Sequence, residues 1–129
     1  MSFKWKAIST QCITSSFSSV WKKFSKNDIY VFYKGYFYSQ TIEEIVDHIS
    51  TLPIIDLEQL IKKIDGHFAI VITRKDVTIV SVDKIRSTPL FFTLIDDTFY
   101  IDSDPKRLIS KNKFLNNINE IAALEISMS

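Results

Sequence analysis

The chain has 129 residues and a mass of 15.0 kDa, a size that predicts one domain able to bury a core. Hydrophobic residues make up 46% and charged residues 24% of the chain, values close to globular averages that argue against a disordered chain. Because 16 basic and 15 acidic residues leave a net charge of +1, no overall electrostatic attraction to nucleic acid or to an anionic membrane is expected.

Cysteine content and hydropathy exclude further classes. Cys12 is the single cysteine, so the chain forms neither an internal disulfide nor a cysteine-rich zinc site. No apolar run approaches the length of a transmembrane helix, and Lys4 and Lys6 interrupt the region where a signal peptide would have its apolar core. We therefore expect a soluble, cytoplasmic protein.

The N-terminal residues predict one strand and then irregular structure. Alternation from Phe3 to Ile8 predicts a first strand, and the Ser/Thr-rich stretch from Ser9 to Ser19 predicts a loop or irregular edge. Residues 21–26 mix aromatic residues with lysines, a pattern that also occurs in single-stranded nucleic-acid sites. Because the overall charge is balanced, we favour a solvated turn with Trp21 and Phe24 in the core.

Aromatic side chains dominate the next segment. They occupy both parities between Ile29 and Tyr38, which predicts a strand or a hairpin with Lys34-Gly35 near its turn. Thr41 and Glu44 then have the spacing of a capping box, and the helical spacing of the following apolar residues predicts a helix from about Ile42 to Ser50.

A second helix is predicted after Pro53. Asp56 with Gln59 marks its start, and Ile55 is expected to pack on Leu60 as a hydrophobic staple. Its buried stripe is predicted to consist of Leu57, Leu60, Ile61 and Ile64. Gly66 is expected to close the helix and lead into a strand.

Strand signals are densest after Gly66. An unbroken apolar run from Phe68 to Ile72, followed after charged residues by Val77 to Val82, predicts a hairpin covered on both faces. Leu90 to Ile95 and Thr98 to Ile101 predict a second hairpin around the tight turn Asp96-Asp97.

The remaining segments are predicted to be a loop, two helices and a linker. Residues 83–89 should leave the end of the sheet as a loop, and Asp104-Pro105 should open a short helix through Ile109. Residues 111–117 are expected to form a polar linker, and Asn119 to cap a last helix that runs into Ile126.

Three short patterns follow one another through the central and C-terminal part of the chain. They are Gly66-x-Phe68-Ala69-x-Val71-Ile72, Asp83-x-x-Arg86-x-x-Pro89-Leu90-Phe91-Phe92 and Tyr100-Ile101-x-Ser103-Asp104-x-x-Arg107-Leu108. In order and spacing, over roughly forty residues, they resemble the second half of the glutaminase domain of asparagine synthetases and their relatives. Residues 119–125 resemble the helix that leads from that domain towards the synthetase half.

The resemblance implies the fold and the domain organisation. It implies an α+β chain with the four-layer αββα sandwich of N-terminal-nucleophile (Ntn) hydrolases, in which two antiparallel sheets are flanked by helices. Residues 1–129 would form one degenerate glutaminase-like domain, and residues 119–129 would begin the connection to a missing synthetase domain. ATP and Mg²⁺ would belong to that synthetase partner. No cofactor is expected in this chain, because two glycines cannot build a glycine-rich phosphate loop.

The resemblance also identifies where catalytic residues would lie. In the family, a cysteine directly after the initiator methionine supplies the nucleophile, and its own amino group supplies the base. This chain has Ser2 there, a poorer nucleophile that is followed by bulky residues. The family's glutamine-holding Asn-Gly-Glu corresponds to Lys34-Gly35-Tyr36, which lacks the amide and the carboxylate. We therefore expect no catalytic residue, with Ser2 as the one candidate.

Five residues are candidates for ligand binding. They are Lys34, Gly35, Tyr36, Asp83 and Arg86. For the last two, a buried ion pair that braces the turn before the following proline is the favoured interpretation, and a ligand site is the alternative.

Metal binding is not expected. His48 and His67 have no second histidine or cysteine at ligand spacing, and both are predicted to lie at the surface or at its boundary.

Together these observations predict a catalytically degenerate glutamine amidotransferase-like domain of an asparagine-synthetase-like protein. It would be a structural and docking module for an ATP-dependent amide-forming synthetase, as the resemblance to β-lactam synthetases and lasso-peptide cyclases implies. Two alternatives remain open: an active Ntn amidohydrolase that uses Ser2, and a free-standing module that binds a peptide or small ligand in a groove lined by Tyr33, Tyr36 and Tyr38. The expected partner is a synthetase domain or subunit, not nucleic acid or a membrane, and a homodimer is left open.

Overall fold

The computed structural model describes residues 3–6, 11–13, 21–74, 77–95, 98–111 and 118–128. Within them, strands and helices follow in the order β1 (Phe3–Lys6), β2 (Gln11–Ile13), β3 (Lys22–Lys26), β4 (Ile29–Phe37), α1 (Ile42–Thr51), α2 (Ile54–Lys62), β5 (Gly66–Arg74), β6 (Val77–Val82), β7 (Phe91–Ile95), β8 (Thr98–Asp102), α3 (Pro105–Lys111), β9 (Asn119–Glu120) and β10 (Leu124–Met128). The first residue of the predicted linker at 111–117 is the last residue of α3, and residues 112–117 lie outside the described residues, as does the predicted turn at 96–97.

The strands form two sheets. The larger sheet has the order β1-β10-β6-β5-β4-β3, and the smaller one has the order β2-β8-β7-β9. Neighbouring strands run antiparallel, except for one parallel pairing in each sheet, between β1 and β10 and between β2 and β8. The prediction of a chain that contains both helices and two mainly antiparallel sheets is therefore confirmed.

Strand β5 is buried on both faces. Ile70 and Ile72 belong to an apolar cluster that contains the buried sides of α1 and α2. Ala69 and Val71 point the other way and belong to a second cluster, with Phe92 of β7 and buried residues near the smaller sheet. Since neighbouring residues of a strand face opposite sides, an unbroken apolar run is what a doubly covered strand requires.

Both predicted pairs of neighbouring antiparallel strands are present, one in the larger sheet and one in the smaller sheet. β5 pairs with β6 in a register that places Thr73 opposite Thr78, and β7 pairs with β8 with Phe92 opposite Ile101. Residues 83–89 leave the larger sheet as a loop, as predicted, and Leu90, which was predicted to begin the next strand, directly precedes β7.

Helix α1 follows its predicted capping box. The Glu44 backbone N–H donates to the Thr41 hydroxyl oxygen over 3.2 Å, and the Thr41 N–H donates to the Glu44 carboxylate over 3.3 Å. Helix α2 begins earlier than predicted, at Ile54, with Pro53 as its extended N-cap residue. The predicted staple is wrong, because Ile55 is 81% exposed.

Two glycine predictions are also wrong. Helix α2 ends at Lys62, and Gly66 is the first residue of β5 rather than the residue that closes the helix. Of the two alternatives for residues 29–38, the strand is confirmed as β4, and the hairpin with its turn near Lys34-Gly35 is wrong. The chain reverses at Asn27 and Asp28 instead, and their φ values of 53° and 65° suit the tight turn between β3 and β4.

The lysine-rich segment is an edge strand rather than a turn. Trp21 is buried in the core between the two sheets, and Phe24 packs against the helix-side core, as predicted. Lys22, Lys23 and Lys26 lie along β3, the outermost strand of the larger sheet. Charged side chains on such an edge disfavour pairing with another chain.

The predicted last helix is wrong. Residues 119–120 form β9, and residues 124–128 form β10, which lies between β1 and β6. Ile121 and Leu124 are buried in the two apolar clusters. Backbone pairing on both sides of β10 overrides the weak helical preference of the segment. Residues 9–19 were predicted to form a loop or an irregular edge, and residues 11–13 form β2, at one edge of the smaller sheet.

Helix α3 starts at Pro105, as predicted, and its start is tied to a buried ion pair. The Asp104 carboxylate accepts from the Lys106 backbone N–H over 2.9 Å. The Arg107 guanidinium donates to the buried Asp102 carboxylate over 2.7 Å, and this hydrogen bond raises the pKa of Arg107.

In the part of the chain that the structure describes, no helix combines the length and apolar character that crossing a bilayer requires.

Arg74 connects the end of β5 to the end of α1. Its guanidinium donates to the backbone oxygens of Ile49 and Leu52 over 2.8 and 2.6 Å. The last carbonyl groups of a helix have no intrahelical partner, so this side chain satisfies them and places a positive charge at the negative end of the helix.

We expect Arg74→Ala to lower the free energy of unfolding by about 1.5–3 kcal/mol, because charged hydrogen bonds to partly buried carbonyls are lost. Urea unfolding followed by circular dichroism measures the change. Lys26→Ala is the matched control: it removes an exposed ion pair with Asp47 at 2.8 Å, which should contribute at most about 0.5 kcal/mol. Equal effects of the two substitutions would contradict this role for Arg74.

Candidate ligand-binding cleft

A cleft of about 600 Å³ opens where β5 begins and β6 ends. Its lining comes from the residue after β4, the end of α2, the start of β5, the end of β6 with its following loop, and the segment before β10: Tyr38, Ile61, Lys62, Ile64, Asp65, Gly66, His67, Phe68, Ser81, Val82, Asp83, Lys84, Ile85, Ala123 and Leu124. The volume falls within the range of small-molecule sites.

Backbone hydrogen bonds hold the strand ends around the cleft. The Tyr38 N–H donates to the Asp65 carbonyl over 2.9 Å, and the Asp83 N–H donates to the Phe68 carbonyl over 3.1 Å. The Ser81 hydroxyl donates to the Ala123 carbonyl over 2.7 Å. These bonds join the ends of β4, β5 and β6 to the segment before β10, so the cleft is part of the sheet framework.

Asp83 is buried at the wall of the cleft, with 6% of its surface exposed. Its carboxylate accepts from the Ser87 N–H over 2.8 Å and from the Ser87 hydroxyl over 2.5 Å. The His67 Nδ1 lies 3.4 Å from the same carboxylate. This residue therefore joins the loop after β6 to the start of β5.

The predicted ion pair between Asp83 and Arg86 is wrong. Arg86 contacts Asp83 only through its backbone N–H, which donates to the Asp83 carbonyl over 2.9 Å. Its left-handed φ of 52° turns the chain, and its guanidinium lies 3.5 Å from the Glu120 carboxylate. The spacing Asp-x-x-x-Ser could have indicated the observed partner, because short polar side chains bond to nearby backbone in loops.

Tyr36, Tyr38 and His67 form a cluster of three rings in mutual contact, here called the three-ring cluster. The ring centroids of each pair are 5.6 Å apart. Tyr36 and Tyr38 are both 59% exposed, so the cluster lies at the surface beside the cleft. Tyr33, which was predicted to line a groove with these tyrosines, instead packs on Phe37 in the helix-side core.

Two glycines with positive φ allow β4 and β5 to approach each other below the three-ring cluster. Gly35 has a φ of 95°, and a Cβ atom there would lie 1.9 Å from the His67 carbonyl oxygen. Gly66 has a φ of 155°, and a Cβ atom there would lie 2.2 Å from the Tyr36 carbonyl oxygen. Only glycine fits these positions, and the close approach places Tyr36 opposite His67.

The candidate ligand residues have different positions relative to the cleft. Asp83 lines it, and Tyr36 belongs to the neighbouring three-ring cluster. Lys34 and Gly35 pair with Ala69 and Phe68 but are not in the cleft lining, and Arg86 is outside it as well.

Ser2 lies outside the described residues. Phe3, at the start of β1, pairs with Glu125, the neighbour of the cleft-lining Leu124.

The two histidines differ in their surroundings. His48 is exposed on α1, as predicted, whereas His67 lies at the cleft wall between the three-ring cluster and Asp83. The sequence signal for this position was its place directly after Gly66, at the entrance of a buried strand. Among the described residues, no group of three or more His, Cys, Asp or Glu side chains is arranged to hold a metal ion.

The Tyr38 hydroxyl reports the electrostatic environment of the cleft wall. Desolvation raises the pKa of Tyr38 above its ordinary value, and the neighbouring Tyr36 hydroxyl and the negative charge of Asp83 raise it further. The carboxylate of Asp83 is thus close enough to the Tyr38 hydroxyl to influence its ionisation.

The protein therefore belongs to the mixed α and β class and has a ligand-sized cleft at one end of its larger sheet. The chain matches no protein-family model, and a search of curated proteins finds no match.

Gly35→Ala should lower the free energy of unfolding by at least about 2 kcal/mol, because a side chain with positive φ would collide with the backbone of β5. Urea unfolding measures the loss. Ser39→Ala, at an exposed position on the same segment, is the control and should change stability by less than about 0.5 kcal/mol. A Gly35→Ala protein as stable as the control would refute the close approach of the two strands.

Tyr38 should titrate above the value of about 10 that tyrosine has in an unfolded chain. Because its folded pKa is raised, its contribution to stability is fully present below that pH and is lost as the pH rises through the folded pKa. Ultraviolet difference titration follows the phenolate, and Tyr38→Phe identifies its step. Asp83→Asn should lower the pKa of Tyr38, because one negative charge is removed. An unchanged titration in Asp83→Asn would contradict the contribution of the Asp83 charge to the raised pKa.

Proposed function

We propose that this chain is a catalytically degenerate glutamine amidotransferase-like domain, which docks on an ATP-dependent amide-forming synthetase. The observation that carries the proposal is the three-ring cluster at Tyr36. The position that resembles the family's Asn-Gly-Glu motif keeps Gly35 but presents aromatic rings instead of the amide and carboxylate that would hold glutamine.

The order of the layers supports the Ntn-like part of this proposal. Helices α1 and α2 share a core with one face of the larger sheet, and the other face shares a core with the smaller sheet. Helix α3 contacts β7 and β8, and its Leu108 is buried. We infer an αββα sandwich in which α3 belongs to the fourth layer.

The surroundings of Asp83 support a loss of glutaminase activity. Both carboxylate oxygens accept hydrogen bonds from Ser87, within the loop itself. A carboxylate held in this way braces the loop and has less capacity left to orient an amide substrate.

The exposed apolar surface beside the cleft supports docking. Tyr36 and Tyr38 are both 59% exposed, and Ile85, in the cleft lining, is 72% exposed. Adjacent apolar side chains at the surface are typical of interaction sites. The partner would hold ATP and Mg²⁺ and form the amide bond, in cytoplasmic biosynthesis of a lasso peptide or an antibiotic.

One observation favours the amidohydrolase alternative. The start of β1 lies near the cleft, because Phe3 pairs with Glu125, next to the cleft-lining Leu124. An N-terminal nucleophile at Ser2 would need such a position relative to a substrate site.

Incubation of the purified chain with L-glutamine should release no ammonia above the rate of the Ser2→Ala variant. Intact-protein mass spectrometry on the same sample reports whether Met1 is retained. Ammonia release that is lost in Ser2→Ala would establish the amidohydrolase alternative and overturn the proposal of a degenerate domain.

Docking is tested with an affinity-tagged asparagine-synthetase-like amide ligase from the same genome. We expect the wild-type chain to bind it, and we expect the double substitution Tyr36→Ala and Tyr38→Ala to weaken binding at least tenfold. Tyr30→Ala is the matched control, because Tyr30 lies on the same strand and is 55% exposed. Absence of binding by the wild-type chain, or an equal loss in the control, would contradict docking through the three-ring cluster.

A further inference from the structure

The wall of the cleft next to the three-ring cluster combines aromatic faces with a buried carboxylate. Tyr38, His67 and Asp83 all line the cleft, and the two rings are in contact with each other. Aromatic faces attract cations through their quadrupole, and a carboxylate adds a full negative charge. This combination selects a positively charged ligand group.

Asp83 retains attraction for a cation despite its hydrogen bonds. The Ser87 N–H and hydroxyl are neutral donors, so they satisfy lone pairs without neutralising the charge. His67, at 3.4 Å, is the basic side chain that contacts this carboxylate among the described residues. Because a buried charge is stabilised by a nearby opposite charge, a cation in the cleft would stabilise the Asp83 carboxylate.

The rest of the cleft lining fits an apolar body. Ile61, Ile64, Phe68, Val82 and Leu124 are buried apolar residues of its lining, here called the floor. The cleft volume of about 600 Å³ accommodates a ligand larger than a single ion. A ligand that matches both regions carries one charged end on an apolar chain or ring.

Other charged groups at the rim oppose or modify this preference. Lys62 lies 3.1 Å from the Glu58 carboxylate, so much of its charge is compensated on the helix surface. Lys84 is exposed on the loop after β6, and Asp65 is exposed at the start of β5. The buried charge of Asp83 interacts more strongly across the cleft than these solvated groups, because solvent screens exposed charges.

We propose that the cleft is a binding site for a small amphipathic cation, with a primary ammonium or guanidinium group against Tyr38, His67 and Asp83. This assignment goes beyond the proposed docking function and does not depend on it, since it uses only the cleft geometry. The apolar part of the ligand lies on the floor of the cleft.

Three probes with the same apolar chain and different end groups test the charge preference. Hexylammonium, hexanol and hexanoate are titrated separately into the isotope-labelled full chain at neutral pH, and the backbone amide signals of Gly66 and His67 are followed by NMR. We expect saturable shifts with hexylammonium, a dissociation constant at least fivefold lower than that of hexanol, and weaker binding of hexanoate.

Two variants locate the preference. Asp83→Asn keeps a carbonyl oxygen as acceptor for Ser87 and removes the charge, so hexylammonium should then bind no better than hexanol. Asp104→Asn, at the start of α3 and outside the cleft lining, should leave the preference unchanged. The amide spectrum of each variant reports directly whether the fold is retained.

Binding of hexanoate as tight as that of hexylammonium would overturn the proposal and assign the preference to the lysines. Absence of saturable shifts with any of the three probes would also overturn it. So would a preference for hexylammonium that survives in a folded Asp83→Asn protein. Neither of the first two results affects the glutamine assay or the docking assay, so failure of this inference is distinguishable from failure of the proposed function.

Discussion

Double coverage of β5 is the constraint on which the architecture depends. Neighbouring residues such as Ile70 and Val71 point into different apolar clusters, one shared with α1 and α2 and the other shared with the smaller sheet. The strand can remain in this position only if both faces stay away from water, since apolar burial is the main favourable term in folding. The helices and the smaller sheet are therefore each required by a different face of one strand.

The cleft follows from how this strand begins. Gly35 and Gly66 let β4 and β5 approach each other where side chains would collide with backbone carbonyls. The close approach brings Tyr36 against His67, and the loop bonds of Asp83 bring a buried carboxylate to the same wall. The two glycines and the hydrogen bonds between Asp83 and Ser87 thus bring aromatic and polar side chains together at one wall of a cleft that also has apolar lining residues.

The same wall connects the two functional proposals. Under the proposed function, the aromatic rings would replace the residues that hold glutamine in an active glutaminase domain. A carboxylate with neutral donors beside two of these rings favours a cationic ligand group. A docking partner that covers Tyr36 and Tyr38 would contact the cleft wall at Tyr38, so partner and ligand would influence each other's binding.

Elements whose signals are local could be predicted from the sequence. The capping box at Thr41 and Glu44 fixed the start of α1, and the unbroken apolar run identified β5 as a strand covered on both faces. The tertiary structure alone decided that residues 124–128 form a strand between β1 and β6, because backbone pairing with distant segments outweighs weak local preference. It alone also decided that His67 lies beside Asp83, since a contact between two strands has no fixed spacing in sequence. The Ser87 contact is local and replaces the ion pair that was expected within the loop.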